Sequence, residues 1–217
     1  MLSILFPFIA VIVINSIILG DQKNWKFQLI FILWFIASAL ISFSGFLKVT
    51  DTLPPRILTI FLPAIFLVIY YYKSTIRTEL NLKYLFFIHV MRIPVEITLH
   101  QLYEDGLVPK AMTYEGWNFD ILSGISALII LIILFIKKDI LSKRFLLYWN
   151  YICLALLVII VVTAILAAPS PIQLSIFEQP NVAILKFPYT FLPAVIVPCV
   201  LLSHLLMIRK LKREINQ

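Results

Sequence analysis

Residues 82–103, LKYLFFIHVMRIPVEITLHQLY, form an apolar stretch of membrane-helix length that carries regularly spaced polar side chains. The polar residues are His89, Arg92, Glu96, His100 and Tyr103, at spacings of three, four, four and three. An α-helix turns about 100° per residue, so these side chains fall on one face within an arc of roughly 80°. Ionisable groups inside a bilayer are costly unless paired or hydrated, and they mark functional sites by default. The stretch therefore predicts a transmembrane helix with a polar binding face.

The composition of the whole chain also indicates a membrane protein. Of its 217 residues, 62% are hydrophobic and 13% are charged, and the mean hydropathy is +1.01. Soluble domains contain about 25% charged residues. The length suits a single transmembrane helical domain, residues 1–217, with no separate soluble domain. We therefore expect an all-α fold, a polytopic helix bundle.

Apolar segments long enough to cross a bilayer need about 20 residues, and the chain offers seven candidates. They are residues 2–20, 27–47, 57–72, 82–103, 118–136, 145–167 and 185–207. Pro94 lies within the polar face of the fourth segment and predicts a kink there, because proline cannot donate a backbone hydrogen bond. Pro188, Pro193 and Pro198 predict a bent or irregular seventh helix, of the kind that lines cavities in membranes.

The basic residues predict how the seven segments are oriented. Thirteen of the 18 Lys and Arg residues fall on the side shared by the first, third and fifth connections and the C-terminal tail. Because cytoplasmic loops are enriched in Lys and Arg, the N-terminus is predicted to lie outside and the C-terminus in the cytoplasm.

Three other features limit the possible functions. The net charge of +7 does not indicate a nucleic-acid partner, because the basic residues cluster at the ends of apolar segments. Cys153 and Cys199 lie inside apolar segments, and their number and spacing favour neither a disulfide nor a zinc site. The N-terminus has no basic region before its apolar residues, so we expect the first segment to remain as a helix rather than be removed as a signal peptide.

Polar residues at the outer end of the fourth and fifth segments predict a shared site in the outer half of the bundle. Arg92 would form its floor and could pair with Glu96, four residues away. His100, Asn118 and Asp120 are expected at a similar outer depth. A simpler interpretation is that Asn118 caps the fifth helix and Asp120 complements its dipole. The proline-containing loop between the sixth and seventh segments could cover the site.

Several short motifs resemble a pattern found in uncharacterised bacterial integral membrane proteins with seven helices. The motifs are Arg92-x-Pro94-x-Glu96, Thr113-x-x-Gly116-x-Asn118-x-Asp120, Gln179-Pro180-Asn181 and Phe187-Pro188. The resemblance covers the chain from the fourth segment onward. It implies location in the bacterial inner membrane and implies no activity, cofactor or substrate.

These patterns favour binding or transport of a small solute, an ion or a proton over catalysis. The candidate binding residues are Arg92, Glu96, His100, Tyr103, Asn118 and Asp120, with His89 and His204 as candidates nearer the inner side. One alternative is a receptor-like or accessory subunit that contacts a protein partner through its basic cytoplasmic loops.

A second alternative is a membrane enzyme that depends on a metal or a haem. Glu96 and His100 are four residues apart and could ligate one metal ion. His89 and His204 could act as the two axial ligands of a haem. The sequence identifies no catalytic residue and no cofactor, and these pairs offer few ligands for either group.

Overall fold

The described part of the chain folds into helices and connecting loops, with no β-strand in those residues. The computed structural model describes residues 5–20, 25–75, 80–137, 140–171 and 173–217, with only the backbone described for Trp25, Lys26 and Gln28. Lys23, Arg77 and Lys138, which contribute to the predicted charge asymmetry, lie outside the described residues. So do residues 2–4 of the first predicted segment.

Each predicted segment corresponds to helical structure. The α-helices are α1 (Leu5–Gly20), α2 (Trp25–Phe43), α3 (Leu58–Ser74), α4 (Leu82–Val90), α5 (Arg92–Glu104), α6 (Asp120–Ile136), α7 (Lys143–Ala167) and α8 (Val197–Ile215). Only Met91 separates α4 from α5, so the two form one kinked rod. Short 3-10 turns occur at Phe46–Lys48, Lys110–Met112 and Ala183–Leu185, and a π-helical segment, Leu192–Ile196, precedes α8.

Local signals explain several of the helix ends. Ser142 caps α7 because its hydroxyl accepts a hydrogen bond from the Phe145 N–H at 3.1 Å. At the end of α5, Gly106 has a φ of 72°, a conformation that glycine adopts at little cost. There the Gly106 N–H donates to the Tyr103 carbonyl, and the Leu107 N–H donates to the Leu102 carbonyl at 2.8 Å. This Schellman motif directs the chain into the loop before α6.

The rod formed by α4 and α5 lies at the centre of the bundle. Helix α4 packs against α1, α6 and α8, while α5 packs against α6. Helix α8 in turn packs against α3, α4 and α7. Polar side chains near the middle of the central rod therefore meet α6 and α8 rather than the outside of the molecule.

Two of the described helical stretches are long and apolar enough to cross a membrane: Lys143–Ala167 and the continuous stretch Leu192–Ile215. Four other apolar helical stretches are shorter, at 10–17 residues: Leu5–Gly20, Leu29–Phe43, Leu58–Ser74 and Asp120–Ile136. The fold is thus compatible with a membrane protein by length and composition.

Candidate functional site

The break between α4 and α5 places Arg92 at the start of a helix. Pro94 has no N–H and cannot donate to the Val90 carbonyl, so the helical ladder is interrupted one turn before it. Met91 adopts a turn whose N–H donates to the Ile88 carbonyl at 3.2 Å. The predicted kink therefore occurs at Met91, between the two polar residues His89 and Arg92.

Arg92 forms a buried ion pair with Asp120, the first residue of α6. The Nη2–Oδ2 distance is 2.6 Å, and Nε donates to the same oxygen at 3.2 Å. The sequence favoured Glu96 as the partner of Arg92, but no Arg92–Glu96 ion pair occurs among the described residues. The close packing of α6 explains the difference, because Gly124 lets α6 approach Arg92 and Ile93. A Cβ at Gly124 would lie 2.8 Å from Ile93 Cγ1.

Asn118 holds the second carboxylate of the site. Its Nδ2 donates to Glu96 Oε2 at 2.5 Å and to the Met112 carbonyl at 2.9 Å. Its Oδ1 accepts a hydrogen bond from the Asp120 backbone N–H at 3.1 Å. The N-cap position of α6 is Phe119 rather than Asn118, yet the Asn118 side chain still satisfies a free N–H at the helix start. One amide thus orients both Glu96 and Asp120.

The network continues from Arg92 to His204 on α8. Arg92 Nη1 lies 3.4 Å from His204 Nε2, and His204 Nδ1 lies 2.9 Å from Asn150 Oδ1. The Asn150 amide donates through Nδ2 to the Leu146 carbonyl, which leaves its oxygen to accept. In a neutral His204, the proton is thereby assigned to Nδ1, and Nε2 accepts from Arg92.

His89 contacts His204 but makes no hydrogen bond within the described residues. The ring centroids of the two histidines are 4.0 Å apart, and the Trp149 ring lies 5.5 Å from His89. Both histidines are fully buried. Rings in direct contact leave no space for a haem plane between them, so the bis-histidine haem arrangement does not fit this geometry.

His100 and Tyr103 lie further out on the rod, and their contacts differ from those of Glu96. His100 Nε2 is 3.8 Å from a carboxylate oxygen of Glu104 and 3.8 Å from one of Glu115. The His100 ring also packs against Tyr114, with centroids 4.7 Å apart. Within the described residues, no group of three or more His, Cys, Asp and Glu side chains could hold a metal ion.

A cavity of about 60 Å³ borders the Arg92, Glu96 and Asp120 side chains. Three of its lining residues are ionisable and eleven are apolar. Asp120 Oδ1 is buried and has no hydrogen-bond partner among the described residues, because Arg92 bonds only to Oδ2. Buried polar atoms usually have a partner, so an unpartnered carboxylate oxygen beside a cavity points to a missing donor. We call Arg92, Glu96, Asn118 and Asp120 the buried cluster.

Two loops close over the end of the bundle where α5 ends and α6 begins, and one of them is the loop between the sixth and seventh segments that was expected to cover the site. Gln179 donates to the backbone carbonyls of Tyr103 and Val108, and the Val182 N–H donates to the Leu107 carbonyl at 2.9 Å. A backbone contact also fixes the loop before Asn118. A Cβ at Gly116 would lie 2.3 Å from the Lys110 carbonyl oxygen.

Comparison with known families covers the part of the chain that builds this site. Residues 55–212 match the family model described as Domain of unknown function (DUF8737). The chain belongs to this family. The match runs from just before α3 into α8 and includes every residue of the buried cluster, whereas α1 and α2 precede it. The family description carries no function. No curated protein and no solved structure matches the chain.

Within this family segment, the sequence pattern indicates the members of the buried cluster but not all of the residues that support them. Asn150, which fixes His204, was not singled out, although a lone amide inside an apolar span is a usable signal. The roles of Gly116 and Gly124 come from tertiary contacts that spacing alone does not reveal.

Proposed function

We propose that the chain is an integral membrane protein with seven spans, its N-terminus outside and its C-terminus in the cytoplasm of a bacterial cell. Two observations support insertion into a bilayer. Only 33% of the most apolar 18-residue stretch of α7 is buried inside the protein, so most of that stretch faces outward. Large apolar side chains such as Phe66, Phe135 and Ile152 are also more than half exposed. Extensive exposed apolar surface is typical of contact with lipid or a partner.

We further propose that the buried cluster binds, and transports, a small solute, an ion or a proton. The observation that carries this proposal is the unpartnered Oδ1 of Asp120, a residue that lines a cavity together with Arg92 and Glu96. With all three groups ionised, the cluster has one excess negative charge. A proton or a cationic group would neutralise it, and buried charges require such compensation. His100, one turn beyond Glu96, lies between the cluster and the outer loops.

The test is a flux measurement on the full chain in proteoliposomes, with Glu96→Gln as the variant. The substitution preserves the shape of the side chain and keeps an oxygen that can accept from Asn118, but it removes the exchangeable charge. We expect proton or small-cation flux in the unmodified protein and none above the empty-liposome level in Glu96→Gln.

A matched control separates loss of the site from general damage. Asp105 lies just beyond α5 and is exposed, so Asp105→Asn removes a carboxylate outside the cluster. Flux in Asp105→Asn should equal that of the unmodified protein. Flux that persists in folded Glu96→Gln would overturn the transport proposal.

A second candidate is an accessory subunit in which the polar network only joins helices. The observation favouring it is that the network links α5 to α6 through Asp120 and to α8 through His204. In that case, Glu96→Gln or Arg92→Met would change helix association or oligomeric state and leave any measured activity unaltered. Chromatographic size analysis of the same variants distinguishes the two candidates.

A further inference from the structure

An apolar groove adjoins the cavity of the buried cluster. The groove has a volume of about 100 Å³ and lies between α3, α7 and the π-helical segment. Phe61, Ile165 and Pro193 are among its lining residues, and nearly all the others are apolar. Four residues line both the groove and the cavity: Val161, Ala164, Leu192 and Val197. The two spaces are therefore neighbours that share a wall formed by α7, the π-helical segment and α8.

The walls of the cavity suit an apolar body better than a hydrated ion. Eleven of its 14 lining residues are apolar, and its three ionisable residues are Arg92, Glu96 and Asp120. Apolar cavities in proteins stay dry and take up apolar molecules, and one of roughly 150 Å³ holds benzene. The size of the groove and cavity thus matches a short hydrocarbon chain rather than a large ligand.

The charges specify the head group of such a ligand. The guanidinium of Arg92 already bonds to Asp120 and approaches His204, so it is committed to groups of the protein. What remains is an acceptor, Asp120 Oδ1, together with the second carboxylate, Glu96. A head group that donates hydrogen bonds and carries positive charge complements both, whereas a carboxylate head would meet two like charges.

We propose that the solute bound at the buried cluster is a primary-amine amphiphile. Its ammonium group donates to Asp120 Oδ1 and faces Glu96, and its alkyl chain extends past Ala164 into the groove between α3 and α7. This inference rests on the proposed function and narrows it to a class of substrate. It also gives the entry route, from the lipid side of the bundle rather than through the closed outer loops.

The experiment measures binding of three small probes to the purified full chain in mild detergent, by calorimetric titration. The probes are hexylammonium, hexanoate and methylammonium. Hexylammonium is expected to bind at least about tenfold more tightly than hexanoate, which has the same chain and the opposite charge. It should also bind more tightly than methylammonium, because each buried methylene strengthens binding about fourfold.

Two variants test the two halves of the site. Glu96→Gln should weaken hexylammonium binding at least about tenfold through loss of charge. Ala164→Phe fills the shared wall and should abolish hexylammonium binding, whereas Ala155→Phe, on the exposed face of the same helix, should leave it unchanged. Equal binding of hexylammonium and hexanoate, or unchanged binding in folded Ala164→Phe, would overturn the inference.

The outcomes also separate this inference from the proposed function. Glu96-dependent proton or methylammonium flux without hexylammonium binding would remove the amphiphile and leave the small-ion site. Absence of Glu96-dependent flux with hexylammonium binding retained would remove transport and leave a binding site. Loss of both would contradict both proposals.

Discussion

At the residue scale, Arg92 connects the two parts of the polar core. One edge of its guanidinium, Nε and Nη2, donates to Asp120 on α6, and Nη1 approaches His204 on α8. The side chain is 4% exposed, so no bulk water can replace these partners. A buried charge pair gains little net stability, but removal of one member leaves the other charge uncompensated.

The first prediction concerns this pair. Arg92→Met should lower the free energy of unfolding by about 3–5 kcal/mol, because Asp120 then remains buried without a cation. The double variant Arg92→Met with Asp120→Leu should recover much of that loss, since both charges are gone. Thermal unfolding of the single and double variants in the same detergent checks this. If the two single effects add in the double variant, the pair is not energetically coupled.

The sequence identified most of the cluster at this scale but paired it differently. Spacing of four residues within α5 places Glu96 within reach of Arg92, but this rule does not decide between that carboxylate and one on a neighbouring helix. The approach of α6 through Gly124 gives Arg92 a partner 28 residues away instead. Such a partner depends on how two helices pack, which a single sequence does not encode in its spacing.

At the element scale, the prolines explain why the helical stretch Leu192–Ile215 is irregular, as predicted. Pro198 has no N–H, so the Ala194 carbonyl four residues earlier lacks a helical donor. The Trp34 indole N–H, from α2, donates to this carbonyl at 2.9 Å. The chain widens to a π-helical segment there, with the Val197 N–H donating to the Leu192 carbonyl. The predicted irregularity is thus confirmed, whereas nothing in the sequence indicated that Trp34 on α2 would donate to the freed carbonyl.

The second prediction tests this hydrogen bond. Trp34→Phe should destabilise the protein by about 1–3 kcal/mol, because the buried Ala194 carbonyl loses its donor. Adding Pro198→Ala to Trp34→Phe supplies a backbone N–H that can donate to the Ala194 carbonyl. The double variant should therefore recover part of the lost stability. Trp117→Phe, at an indole that is 62% exposed, is the control and should have little effect. Thermal unfolding that shows no rescue by Pro198→Ala would contradict this assignment.

The third prediction concerns the contact between α5 and α6. Gly124→Ala should cost about 1–3 kcal/mol, since the added Cβ meets the backbone nitrogen of Ile93 as well as its side chain. Gly20→Ala is a matched comparison, because its added Cβ would meet only side-chain atoms of Leu85 and Tyr84, the nearest at 3.1 Å. The change in unfolding temperature should be larger for Gly124→Ala, and equal changes would argue against close backbone packing at Arg92.

At the scale of the whole molecule, the order of helices agrees with the segments predicted from hydropathy. Apolar length is a strong signal, so all seven segments correspond to helical rods once α4 and α5 are taken as one. Membrane insertion and orientation remain proposals that rest on composition, exposed apolar surface and the distribution of Lys and Arg. They involve the environment of the chain, which helix packing by itself does not specify.

The fourth prediction addresses orientation directly. A cysteine at Asp105, in the proposed outer loop, should react with a membrane-impermeant maleimide in intact cells. A cysteine at Asn216, in the proposed cytoplasmic tail, should react only after the membrane is permeabilised. Cys153 and Cys199 are buried and provide little background. Reaction of Asn216→Cys in intact cells, with Asp105→Cys protected, would reverse the proposed topology.

Exchange of a positive charge, a proton or a cation, by Glu96 and its neighbours inside the bundle is what the transport proposal requires. The most direct measurement is the infrared difference spectrum of the carboxyl groups in proteoliposomes, recorded between two pH values and again on addition of methylammonium. We expect a carboxyl signal that is lost in Glu96→Gln and retained in Asp105→Asn. A difference spectrum that is identical in the unmodified protein and in Glu96→Gln would contradict the transport proposal.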